Sequence, residues 1–75
     1  MNFFNYIVVM KTVNGMERFL VSAMDPSKAK KKVMDYLVDE CIPFSCSYPR
    51  NETIRVADSQ VEEMKNRSDI KTLYV

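Results

Sequence analysis

Two neighbouring segments near the start of the chain, Tyr6–Val13 and Met16–Ala23, are rich in apolar residues at alternating positions. A period of two is typical of β-strands, because successive side chains point to opposite faces of a sheet. The dipeptide between the segments, Asn14-Gly15, favours a two-residue turn in which both residues take a positive φ. Gly15 is the only glycine of the chain. The pattern therefore predicts an antiparallel hairpin that closes at Asn14-Gly15.

The predicted hairpin has two unlike faces. If Val13 lies opposite Met16, one face is wholly apolar and should pack on the core. Its members are Tyr6, Val8, Met10, Phe19, Val21 and Ala23. The other face places Lys11 opposite Arg18 and carries three apolar residues. We name this second set the hairpin strip, and it consists of Ile7, Val9, Lys11, Arg18 and Leu20.

The hairpin strip is the predicted partner-binding surface. If helices cover only the first face of the hairpin, its apolar residues form an exposed patch with two cations at the rim. Contiguous exposed apolar area usually marks an interface. The alternative is that another part of the chain covers the patch.

A capped helix is predicted directly after the hairpin. Asp25 is a preferred N-cap residue and Pro26 suits the first helical position. Apolar residues then recur at helical spacing, and the helix should end near residue 40, before Pro43. The stripe that should pack on the hairpin comprises Ala29, Val33, Tyr36, Leu37 and Glu40.

The second half of the chain repeats the order strand, strand, helix with shorter elements. Its predicted strands are Phe44–Tyr48, Thr53–Ala57 and a final Ile70–Val75. A capping-box pattern from Ser59 to Glu62 predicts a short helix that runs to about residue 67. Val61 and Met64 are its only large apolar residues, so we expect it to be too polar to cover the hairpin strip.

These elements predict one α+β domain over residues 1–75, a two-layer sandwich with the order ββαββαβ. Its mainly antiparallel sheet of four or five strands should carry one main helix across one face, together with one short helix. The residues expected in the core are Tyr6, Val8, Met10, Phe19, Val21, Ala29, Val33, Tyr36, Leu37, Ile54 and Val56.

The composition excludes most enzymatic chemistry. The 75 residues include no histidine, which removes the commonest general base and metal ligand, and one glycine cannot build a phosphate-binding loop. Cys41 and Cys46 lack the further ligands that a zinc site requires. We expect two reduced cysteines, although a disulfide between the helix end and the next strand is geometrically conceivable. The prediction is a non-enzymatic protein without a metal or cofactor.

The balance of charge favours neither nucleic acid nor membranes. The net charge is +1, and no stretch is apolar enough to span a membrane. The first residues lack the basic start of a signal peptide, so we expect a cytoplasmic location. The densest charge is at Lys28, Lys30, Lys31 and Lys32. Together with the helix amides, these lysines could hold a phosphate backbone, which makes nucleic-acid binding a second hypothesis, although Asp35 and Asp39 would oppose it.

One part of the chain resembles a known class of proteins. Phe19-Leu20-Val21-Ser22-Ala23, followed by Asp25-Pro26-Ser27-Lys28-Ala29, is similar to a pattern of small accessory proteins of phages and mobile elements. In that pattern an alternating strand runs into a capped helix with alanine in its first turn. The resemblance covers about the first half of the chain. It implies a role in binding and inhibiting or redirecting one host protein, and it carries over no functional residue.

The leading hypothesis is thus a small protein-binding module that inhibits or regulates a larger cellular protein. The hairpin strip is its expected contact surface, with Lys11 and Arg18 at the rim. Docking of a partner at a strand edge, using Phe44–Tyr48, is a further option. Self-association is a third hypothesis, because a second copy could cover the strip in a homodimer.

Overall fold

The computed structural model describes residues 2–73, which form five β-strands and two α-helices. In chain order the elements are β1 (Phe4–Thr12), β2 (Gly15–Ala23), α1 (Pro26–Asp39), β3 (Phe44–Ser45), β4 (Glu52–Val56), α2 (Val61–Lys65) and β5 (Ile70–Thr72). A 3-10 turn at Asp58–Gln60 leads into α2. The fold is α+β, as the sequence predicts, and it is built on one mixed sheet.

The hairpin forms the centre of the sheet. β1 and β2 pair antiparallel over their whole length. β5 extends the sheet beyond β2 in a parallel pairing, so the sheet is mixed rather than purely antiparallel. On the other side of β1, β4 pairs with Asn5–Val9 and β3 pairs with Lys11 and Thr12. β3 and β4 therefore follow one another along the same edge of the sheet.

The hairpin turn lies one residue earlier than the sequence predicts. Thr12 is opposite Gly15, so Val13 and Asn14 form the turn. Both of these residues have a negative φ, and Gly15 follows them with a φ of +107°. A turn of this kind followed by a glycine is a common alternative to the mirror-image turn that Asn-Gly favours. The Thr12 hydroxyl stabilises it, because its oxygen accepts from the N–H of Asn14 at 3.1 Å and it donates to the Glu17 carboxylate at 2.7 Å.

This turn shifts every cross-strand pair by two residues from the predicted register. Val8 faces Phe19, and Lys11 faces Met16 rather than Arg18. A shift of two residues leaves each side chain on its predicted face, because side chains alternate with a period of two. The two predicted faces are confirmed, whereas the predicted pairing of Lys11 with Arg18 is wrong.

α1 packs across the wholly apolar face of the hairpin. The Asp25 carboxylate accepts from the N–H of Lys28 at 2.8 Å, which is the predicted N-cap. Ala29, Val33 and Leu37 are fully buried on the sheet side of the helix. The residues that complete this core are Tyr6, Val8, Met10, Phe19, Val21, Ala23 and Leu73.

A Schellman motif ends α1. The N–H of Ile42 bonds to the carbonyl of Leu37 at 2.9 Å, and the N–H of Cys41 bonds to that of Val38 at 3.0 Å. The motif needs a left-handed residue after the helix, and Cys41 has this conformation with a φ of +56°. Glycine is usual there, because a Cβ is strained in the left-handed region. Glu40, predicted as part of the apolar stripe, is instead the exposed C-cap residue.

The second face of the sheet is also covered by the chain itself. Ile7, Val9 and Leu20 are only 7%, 7% and 2% exposed. The residues that pack with them are Val56 and Ile70, with Met16, Val61 and Met64 at the border. The expectation that the second helix is too polar to cover the hairpin strip is therefore wrong. Val61 and Met64 suffice, because Val56 of β4 and Ile70 of β5 also pack in this cluster.

The end of the chain differs in detail from the prediction. No described side chain caps the start of α2, so the predicted capping box at Ser59 does not form. Glu62 lies in the first turn of α2, where its charge suits the helix dipole. The final strand predicted over Ile70–Val75 covers Ile70–Thr72, and residues 74 and 75 lie outside the described part of the chain.

Two residues that were predicted in the core are not buried. Ile54 is 47% exposed, and Tyr36 is half-buried at the edge of α1. The Tyr36 ring meets Phe19 edge-on with centroids 6.0 Å apart, and the Lys71 ammonium lies 4.9 Å from its centroid. The interaction with the Tyr36 side chain raises the pKa of Lys71. The remaining predicted core residues are buried.

Candidate functional site

The hairpin strip is not an accessible surface in this fold. Its apolar members belong to the core between the sheet and α2. Lys11 lies at one end, with its ammonium 5.6 Å from the centroid of the Tyr48 ring. Arg18 is exposed near Asp69, whose pKa is lowered chiefly by the hydrogen bonds from Arg67 and to a smaller degree by Arg18. Lys11 and Arg18 therefore remain accessible to solvent, but the apolar residues between them are buried. A complex or a homodimer cannot form on this strip as predicted.

The four lysines of α1 do not form one basic surface. Three of them bond to the chain itself. The contacts are Lys30 to the carbonyl of Cys46 at 3.1 Å, Lys31 to the carboxylate of Asp35 at 3.1 Å, and Lys32 to the carbonyl of Ser22 at 2.7 Å. Lys28 is exposed beside the Asp25 carboxylate. A phosphate backbone would have to compete with each of these contacts.

The outer side of β4 is the longest strand edge without a partner in residues 2–73. β4 pairs with Asn5–Val9 of β1 and with no other described strand. Such an edge presents backbone N–H and C=O groups that another strand can bond. β3 lies on the same side of β1 but is only Phe44–Ser45, because Cys46 and Ser47 form a turn. The strand predicted over Phe44–Tyr48 is therefore too long, and the extended edge is five residues of β4.

A row of apolar side chains crosses the sheet and ends at this edge. Leu20 lies opposite Ile7, and Ile7 lies opposite Ile54. Exposure rises along the row from 2% at Leu20 through 7% at Ile7 to 47% at Ile54. Ile54 is therefore the open end of a row that is otherwise buried.

Two charged side chains flank Ile54 on opposite faces of β4. Arg55 lies opposite Tyr6 and so projects to the face that carries α1, where its guanidinium is 3.8 Å from the centroid of the Phe4 ring. Glu52 projects to the other face, two residues before Ile54. Within the described chain, neither Arg55 nor Glu52 makes an ion pair or a side-chain hydrogen bond.

Asn51 fixes the point at which β4 begins. Its Oδ1 accepts from the backbone N–H of Lys11 at 2.8 Å, and its Nδ2 donates to the carbonyl of Ser45 at 2.7 Å. The same nitrogen lies 3.2 Å from the Met10 sulfur. Between the end of β3 and the start of β4, the side-chain amide thus makes the bond to β1 that a strand backbone would otherwise make. It thereby fixes the position of β4 along β1.

The sequence does contain a signal for this edge. β4 reads Glu-Thr-Ile-Arg-Val and has polar residues on both of its faces: Glu52 on one, and Thr53 and Arg55 on the face that carries α1, where β1 has Phe4, Tyr6, Val8 and Met10. Polar residues on both faces are typical of an edge strand. The alternation of Ile54 and Val56 predicts instead an inward pair, and this prediction is wrong for Ile54, since only Val56 is buried.

Other chemistry is sparse in the described residues. Cys41 and Cys46 are free and exposed. No group of three or more Cys, Asp or Glu side chains in residues 2–73 is placed to bind a metal ion. The helices within that range are too short and too polar to cross a membrane.

No protein-family model, curated protein or solved structure matches this chain. The relation to accessory proteins of phages and mobile elements therefore stays a prediction.

Proposed function

We propose that this chain is a small non-enzymatic protein-binding module that inhibits or regulates a larger protein. It binds by taking up an extended segment of that partner as an added strand at the β4 edge. The observation that carries the proposal is Ile54, the 47% exposed end of a buried apolar row on a strand with an unpaired outer edge. In this mode main-chain hydrogen bonds provide affinity, and alternate side chains provide specificity.

The β4 edge lacks several of the features that block strand addition, and this supports a binding role. Proteins protect an edge strand with charged side chains, especially lysine, and with proline or a bulge. β4 contains no lysine or proline, and its five residues pair with β1 in a continuous register. Its two charged side chains are Glu52, on the face opposite to α1, and Arg55, which packs against the Phe4 ring. The backbone of β4 is therefore open to an incoming strand.

Inhibition or regulation fits this mode of binding. A module that captures a segment of a larger protein acts by occupying that segment. We place this activity in a reducing compartment such as the cytoplasm, because Cys41 and Cys46 are both exposed and unbonded.

The proposal is tested by selecting binders from a display library of random peptides and measuring them against two matched variants. Ile54→Lys places a charge on the edge, and Val38→Lys makes the same change at an aliphatic residue of α1 that is 63% exposed. We expect binding to weaken at least about tenfold for Ile54→Lys, because an edge lysine opposes strand addition, and to be unchanged for Val38→Lys.

Thermal melts of both variants check that they fold. A library that gives no binder, or binders that both variants weaken equally, would contradict the proposal.

A further inference from the structure

We infer that the strand added at β4 is antiparallel, the pairing that is slightly more stable per residue, and carries four side chains in a defined order: acidic, apolar, β-branched, basic. This inference rests on the proposed function and names the chemistry of the partner segment. It follows from which side chains of β4 are left without a partner and from the face on which each one lies.

The apolar position follows from the row that ends at Ile54. Leu20 and Ile7 are buried because each lies on a strand that has neighbouring strands on both sides, whereas Ile54 lies on β4, which has a neighbouring strand on one side only. Directly opposed residues of an antiparallel pair share a face and have their Cβ atoms about 4.5–5.5 Å apart. An apolar residue opposite Ile54 would continue the row and bury its exposed part.

The acidic position follows from Arg55. The Phe4 ring lies against one face of the guanidinium, and this contact limits the conformations of a long side chain. The edge of the guanidinium carries its N–H donors, and no described residue accepts from them. A carboxylate opposite Arg55 would accept from a donor group that is already held in place.

The basic position follows from Glu52, which has no cation partner in residues 2–73. Between the apolar and basic positions, the residue opposite Thr53 would be β-branched, since such residues pack well across a sheet. An antiparallel strand meets Arg55 first, then Ile54, Thr53 and Glu52. This sequence of contacts gives the order acidic, apolar, β-branched, basic.

A second copy of this chain fits the edge less well. If two β4 strands pair antiparallel in one continuous sheet with matching faces, Arg55 is always opposite an odd-numbered residue. The odd-numbered residues near it are Asn51, Thr53, Arg55, Ala57 and Ser59, and none is acidic. Self-pairing therefore leaves the guanidinium without a counter-ion, whereas a segment of another protein can supply one.

The test uses two synthetic peptides labelled with fluorescein at the N-terminus, with the sequences TTEIVKT and TTKIVET. They have the same composition and differ only in exchanging the acidic and basic positions. We expect TTEIVKT to bind about tenfold more tightly, because two opposed charge pairs change from attraction to repulsion in the other peptide. The double variant Glu52→Arg, Arg55→Glu should reverse this preference.

The matched control exchanges an exposed ion pair of α1 by Lys31→Glu with Asp35→Lys, and it should leave the preference unchanged. Circular dichroism of both double variants checks the fold. Equal binding of the two peptides, or no reversal in the edge variant, would overturn the inference while strand addition still stood.

Absence of binding by these peptides and by every library peptide would overturn the proposed function as well. A dimer of the free protein that Ile54→Lys dissociates would identify a second copy as the occupant and refute the inference.

Discussion

The side-chain amide of Asn51 joins β1, β3 and the start of β4 by hydrogen bonds, and removing it should destabilise the β4 edge. Asn51→Ala deletes the acceptor for the Lys11 N–H and the donor to the Ser45 carbonyl, which are bonds of 2.8 and 2.7 Å. The backbone N–H of Asn51 keeps its bond to the Tyr48 carbonyl, so the local turn is not itself removed.

The expected cost follows from these two bonds. Each makes a net contribution of about 0.5–1.5 kcal/mol, and its loss leaves a partly buried backbone group unpaired. Asn51→Ala should therefore lower the free energy of unfolding by about 2 kcal/mol. For a domain of this size that corresponds to a decrease in Tm of roughly 8–16 °C. Asn51→Asp should also destabilise at neutral pH, because a carboxylate oxygen would face the Ser45 carbonyl in place of the donor.

Urea denaturation followed by circular dichroism measures this cost. The matched control is Asn66→Ala, at an exposed residue after α2, where we expect a change within about 0.5 kcal/mol. If Asn51→Ala unfolds at the same urea concentration as the wild type with an unchanged slope, the amide does not join β3 and β4 as described. The reasoning about the register of the edge would then be refuted.

Substitutions at three further positions test other parts of the fold. Val33→Asp should cost at least about 4 kcal/mol, because Val33 is 0% exposed and the new charge would have no partner; an unchanged thermal melt would contradict the position of α1. Cys41→Gly should stabilise by about 0.5 kcal/mol by relieving the left-handed backbone, and Cys41→Val should destabilise; urea midpoints that move the other way would refute the Schellman assignment. At Asp25, the bonds from the Lys28 N–H and the Ser27 hydroxyl lower the pKa of the carboxyl. The stability that the Asp25 carboxylate provides is therefore present above about pH 4 and is lost as the pH falls through the lowered pKa. The free energies of unfolding of the wild type and Asp25→Ala should differ above about pH 4 and converge in acid. A difference that stays constant with pH would argue against this cap.

The sequence predicts the faces of the hairpin and the start of α1 because short-range physics determines them. Alternation assigns Val8 and Ile7 to opposite faces whatever the register, and Asp25 caps the helix through a bond three residues away. The register itself depends on the turn, where the Thr12 hydroxyl bonds to Asn14 and Glu17. Propensity favours a turn at Asn-Gly, and this side-chain network is not visible in the pattern.

The candidate site could not be predicted because it depends on which strands become neighbours. Val61 and Met64 look insufficient to cover a sheet face when α2 is considered alone, but Ile70 reaches the same cluster through a parallel pairing with β2. Because of that pairing, the sheet face with Ile7, Val9 and Leu20 is buried, and the part of the sheet without a partner is the outer edge of β4. Ile54 is exposed for this reason, although its alternation with Val56 indicates a buried residue.

Amide hydrogen exchange at β4, measured by NMR with and without the peptide TTEIVKT, tests strand addition most directly. If the peptide adds as a strand, alternate amides within Glu52–Val56, those that point away from β1, gain protection when it binds. The amides that already bond to β1, and those of the exposed face of α1, should change little. Binding that protects residues elsewhere and leaves every amide of β4 exchanging at its free rate would contradict the account.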